Sequence, residues 1–89
     1  MATKGIRAVK FPDGGSILVA LIAQAVPYAE GVGILNERNR MIGWIAIPGP
    51  DGETRDAKFE MVLEIFNALI NVPRNATQPD WSFLYTEAQ

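Results

Sequence analysis

Glu60 and Glu64 stand four residues apart and share one face of any helix that holds them. A carboxylate pair so placed can hold Mg²⁺ or divide the work of acid and base. Asn67 and Asn71 continue the same stripe, so the four residues read as the wet side of a helix. Asp51, Glu53 and Asp56 read as loop and helix entry, because the spacing of a calcium-binding loop is absent. There is no His and no Cys, so neither a Ser-His nor a Cys-His nucleophile can be built. The same lack removes the soft and imidazole ligands of zinc, copper and iron. Ser16 follows Gly14-Gly15 as a turn exit without a nucleophile elbow around it. Gly31-Val32-Gly33 lacks the third glycine and the helix of a dinucleotide site. Arg38 and Arg40, with Asn36, Glu37 and Asn39, form a polar tip that can grip a phosphate or an acidic partner, or simply stand in solvent. Asn75-Ala76-Thr77 matches a glycosylation sequon, read as chance without a secretory leader.

The elements that carry these residues follow from periodicity and turns. Residues 5–11 read as a strand, and Pro12-Asp13-Gly14-Gly15 as the turn of a hairpin. Residues 16–26 hold a continuous apolar run that periodicity alone leaves open between a buried strand and a helix. The hairpin turn and the Ile/Val content favour strand, and Pro27 is read as the interruption. Residues 32–35 and 41–47 flank the polar tip as a second hairpin, with Gly31, Gly33 and Gly43 marking bulges or close backbone approach. Residues 55–71 form one helix, capped by Thr54 or Asp56 and stopped by Pro73. Residues 81–85 are a last strand or a packed tail. The expected fold is a single α+β domain over residues 1–89. It has a small antiparallel sheet of two hairpins and one main C-terminal helix, in the order ββββαβ, with βαββαβ as the alternative.

The informative feature is an excess of apolar surface. On the helical wheel the apolar arc covers roughly 240°, against the usual stripe of about 100°. Phe59, Val62, Leu63, Phe66 and Ile70 lie on one flank, Met61, Ile65, Ala68 and Leu69 on the other, and only Lys58 interrupts. In residues 41–47, Ile42, Trp44 and Ala46 face one way and Met41, Ile45 and Ile47 the other. A sheet with one wet face alternates apolar and polar residues, and this one does not. Either the tail at 81–85 and the loops cover the second face, or another chain does.

The 89 residues carry a net charge of −2, with 48% hydrophobic and 20% charged residues. That balance argues against a general nucleic-acid binder, which would be basic. The longest apolar run is too short to span a bilayer, the N-terminus lacks an apolar leader, and the absence of Cys fits a cytoplasmic protein. A chain this small without disulfides or metals often gains stability by oligomerising. The expectation is therefore a non-enzymatic binding or regulatory protein without cofactor. It acts through protein–protein contact, as a homodimer or with another protein, and not on nucleic acid or membrane. The candidate contact residues are Ile42, Trp44, Met61, Ile65, Ala68, Trp81, Phe83 and Tyr85, with Arg38 and Arg40 as polar contacts. The alternative is a small-ligand module with a pocket between sheet and helix lined by Trp44, Phe59 and Phe66. An enzyme using carboxylates or a cleft between subunits comes third.

Overall fold

The first turn sets the first hairpin. The Asp13 carboxylate accepts the Gly15 N–H at 2.9 Å, the Phe11 N–H reaches the Gly15 carbonyl at 2.7 Å, and Gly14 takes φ 97, where a side chain would be strained. Strand β1 (Ala8–Lys10) thus pairs antiparallel with β2 (Ser16–Leu18). The computed structural model describes residues 5–50, 52–72, 74 and 76–85. The loop acid Asp51, the helix stop Pro73 and the sequon residue Asn75 lie outside the described residues.

Residues 16–26 form neither one strand nor a long helix. A single 3₁₀ turn, Val19–Leu21, breaks them, and strand β3 (Gln24–Tyr28) follows. The cause is that this stretch serves two sheets. The Val19 N–H still bonds Arg7 of the first hairpin, while the Ala23 N–H already bonds Leu35 of the second sheet. The βαββαβ order is thereby excluded. Pro27 does not interrupt the segment but sits inside β3. Among the described residues that strand pairs only with its neighbour β4 and so is an edge, where proline is tolerated.

Strands β4 (Gly31–Leu35) and β5 (Met41–Ala46) complete an antiparallel sheet of order β3-β4-β5. At its tip the Asn36 carboxamide oxygen accepts the N–H groups of Arg38 and Arg40, at 2.9 and 3.0 Å. The register shifts beside this tip. Ile34 pairs with Gly43 and Leu35 with Met41, leaving Ile42 between them. One extra residue reverses the facing of what precedes it, so the expected grouping of Ile42 with Trp44, and of Met41 with Ile45, is corrected. Ile42 packs against the core, whereas Met41 lies on the far side with Trp44.

Helix α1 (Glu53–Asn71) begins two residues earlier than the wheel suggests. Its N-cap is Gly52, at φ 146, and no side chain caps it. Thr54 and Asp56 are therefore first-turn residues rather than caps. Acids Glu53 and Asp56 still meet the positive end of the helix dipole. The Arg55 guanidinium donates to the carbonyls of Ile47 and Glu30, both at 3.1 Å, tying the first turn to the end of the sheet. Lys58, the one break in the apolar arc, reaches the Leu84 carbonyl at 2.8 Å.

The fold is thus small α+β, with antiparallel sheets of two and three strands, one main helix, and the strands before it. The expected last element, residues 81–85, is the packed tail in 3₁₀ form (Trp81–Tyr85). Asp80 accepts the Ser82 N–H at 2.9 Å at its start, and the bonds from Ser82 hold the Asp80 carboxyl below the ordinary carboxylate value.

Val62, Phe66 and Leu69 are the buried line of α1. Phe66 meets Phe11 edge to face and stacks on Trp81, each with centroids 6.0 Å apart. The Trp81 indole N–H donates to the Lys10 carbonyl at 2.6 Å. Gln78 accepts the Lys10 N–H and donates to the Ala8 carbonyl, so its side chain pairs with β1 as a strand would. Because Phe66 is fully enclosed, Phe66→Ala is expected to cost about 3–5 kcal/mol. Thr54→Ala, exposed and making no cap, is expected to stay within about 0.5 kcal/mol. Urea unfolding of both variants, read by circular dichroism, checks the pair.

Candidate functional site

Alternation along β4 sends Val32 and Ile34 into the core and leaves the positions of Gly31 and Gly33 for the other face. A Cβ on Gly31 would run into the Ile45 carbonyl and the Trp44 ring, and one on Gly33 would meet the Met41 methyl at 2.8 Å. The glycines are a floor on which larger side chains lie, as the close-approach reading of Gly31 and Gly33 anticipates. Gly43 faces inward, where a Cβ would strike Ile17 and Phe11.

Trp44, Met41 and Tyr28 cover that floor, yet they remain 41%, 42% and 59% exposed. The Trp44 indole N–H donates to the Tyr28 carbonyl at 3.0 Å, reaching across β4. Its polar edge is satisfied within the sheet, and its ring carbons are left outward. Val26 pairs opposite Gly33, Gln24 opposite Leu35 and Ala46 opposite Gly31. Every residue on this face is uncharged. The charges stand at its two ends. Exposed Arg38 and Arg40 lie at the β4–β5 tip, and exposed Glu30 lies in the β3–β4 turn.

The other sequence candidates are scattered. Ile65 and Ala68 border a shallow hollow of about 240 Å³ shared with Ala76, Thr77 and Pro79. Met61 is exposed on the same helix. Trp81 is buried in the aromatic cluster, Phe83 sits half-buried 6.3 Å from it, and Tyr85 is open to solvent. Glu60 and Glu64 are exposed, as their stripe implies. The expected pocket of Trp44, Phe59 and Phe66 does not form, because Trp44 lies outside the sheet and Phe66 inside it. Phe59 instead carries the Arg55 guanidinium 5.2 Å above its ring.

Sequence reasoning missed Tyr28 and Met41. Taking Pro27 as a stop hid the alternation Gln24, Val26, Tyr28, and the bulge at Ile42 hid Met41. The signal that could have found them is the Gly31-x-Gly33 pair, which predicts large neighbours lying over it.

Gly31→Ala places a methyl group against a backbone carbonyl that cannot move without breaking the β4–β5 ladder. It is expected to cost about 1–3 kcal/mol, read as a lowered midpoint in thermal unfolding. Comparison with known proteins finds no family that matches the chain, and no significant match among curated proteins or solved structures.

Proposed function

We propose that the chain is a non-enzymatic protein-contact module that works as a two-fold dimer, joined through the outer face of β3-β4-β5. The observation that carries this reading is the bare apolar face itself. Trp44, Met41 and Tyr28 lie side by side, without a charged residue among them, on a sheet whose other face already holds α1 and the first hairpin's Phe11 and Ile17. Apolar surface left wet forgoes about 25 cal/mol for each Å², which matters in a domain whose whole stability is several kcal/mol.

A second copy fits this face better than an unrelated partner. A two-fold interface sets a patch against itself, so an uncharged patch avoids self-repulsion. With the axis in the sheet plane and across the strands, the Arg38/Arg40 end of one copy lies over the Glu30 end of the other. Those charges make no hydrogen bond or ion pair through their side chains among the described residues, and they are of opposite sign. Three strands about 4.8 Å apart and about 17 Å long give a small face. The dimer therefore belongs with weak, micromolar associations rather than obligate ones. Work inside the cytoplasm is part of the same reading. No helix among the described residues is long and apolar enough to cross a membrane.

Sedimentation equilibrium across the micromolar range tests the proposal. A dimer is expected, with Trp44→Asp monomeric and folded, and Ile65→Asp, on the helix flank, still dimeric. Glu30→Arg should weaken association, and adding Arg38→Glu with Arg40→Glu should restore it. A chain that stays at 9.7 kDa throughout overturns the reading, and so does a dimer that survives Trp44→Asp.

A further inference from the structure

We propose a second site, independent of the sheet face, that takes a small amphiphile with a single carboxylate head. Between the first hairpin and the last turns of α1 lies a groove of about 450 Å³, within the size range of ligand pockets. Its walls are Ile6, Leu18, Val19, Ile22, Leu69 and Ile70, all aliphatic. Among the described residues, the one charged residue lining it is Arg7.

Three features select the ligand. Aliphatic walls favour an alkyl chain over a sugar or nucleotide, whose hydroxyls would lose water without gaining partners. Arg7 is exposed, and its guanidinium makes no hydrogen bond or ion pair among the described residues, so its fork is open to a carboxylate. The helix ends at Asn71 with no basic residue in its last turn, and its terminal carbonyls disfavour an anion beside them. The head group therefore belongs at Arg7 and the chain against Leu69 and Ile70.

The groove exists because of the 3₁₀ break at Val19–Leu21. A straight strand would have carried Leu18 and Val19 onward along the sheet. The bend leaves Leu18 half-exposed at the rim and Ile22 buried beneath it. None of the groove residues belongs to the dimer face, so either proposal can fail alone.

The test is a titration of the ¹⁵N-labelled full chain with octanoate, 1-octanol and octyltrimethylammonium, followed by amide chemical shifts. Octanoate is expected to bind tightest and to move Arg7, Leu18–Ala20 and Leu69–Ile70, leaving the Trp44 indole signal in place. Arg7→Gln should weaken octanoate about fivefold, as expected for an exposed ion pair, and leave octanol unchanged. Leu18→Asp, at an exposed position, should weaken octanoate and octanol alike. Equal binding of all three amphiphiles overturns the assignment, as does a shift centred on Trp44. Competition by phosphatidylglycerol vesicles as strong as that of octanoate would make this a membrane contact and also overturn it.

Discussion

Phe66 is where three distant pieces of the chain meet. Phe11 arrives from the first hairpin, Trp81 from the tail, and the helix supplies Phe66 itself. The contact does more than bury rings. Trp81 can stack there only if its indole N–H finds a partner, and the Lys10 carbonyl supplies it. Gln78, three residues earlier, occupies the β1 edge with both ends of its amide. The tail thus closes the core and protects an open strand edge in one stroke. Without it the helix would cover β3 and β4, and the first hairpin would have no edge partner.

That arrangement also fixes what remains bare. Among the described residues there is one long helix and one packed tail: the helix lies on the inner side of the three-stranded sheet, and the tail is held against Phe66 and β1. Among the described residues no element covers the outer side. Its answer is local and partial. Glycines at 31 and 33 let Trp44 and Met41 lie flat against the backbone, which removes some apolar area from water without adding another layer. Lys58 and Arg55 show the opposite economy. Their stems run along the apolar arc of α1 while their charged ends find carbonyls. The roughly 240° arc of the wheel is therefore less excessive than its count of apolar residues implies. The surplus lies mainly on the sheet and at Met61.

Much of the architecture was legible in the sequence. Asp13-Gly14 announces the first hairpin, Asn36–Arg40 the second, and the flank of Val62 and Phe66 most of the buried line of the helix, which Leu69 from the other flank completes. What misled were positions where one residue type has two physical uses. Proline ends a central strand but is harmless on an edge, and whether β3 is an edge depends on tertiary pairing. Thr54 and Asp56 are good capping residues, yet Gly52 takes the cap by reaching φ 146. A bulge of one residue cannot be read from alternation that is apolar on both faces, since Met41 and Ile42 suit either side equally. The site inherited that ambiguity. Trp44 was visible as an aromatic with an unexplained role, but Tyr28 and Met41 beside it depended on Pro27 and on the bulge.

The same local break that obscured the second strand created the chain's other open surface. Residues 16–22 leave one sheet and enter the next within a single 3₁₀ turn, so their side chains cannot pack as a regular strand would. Leu18 and Leu21 end up about half exposed, while Ile22 is pulled inward. A small domain has few ways to fill the resulting gap against the helix end, because the tail at residues 81–85 is already engaged at Phe66. The two unfilled surfaces, the outer sheet face and the groove beside Arg7, thus have one origin. Among the described residues, twelve buried apolar side chains hold two sheets and a helix together, and no further element roofs what the bend and the outer strands leave open.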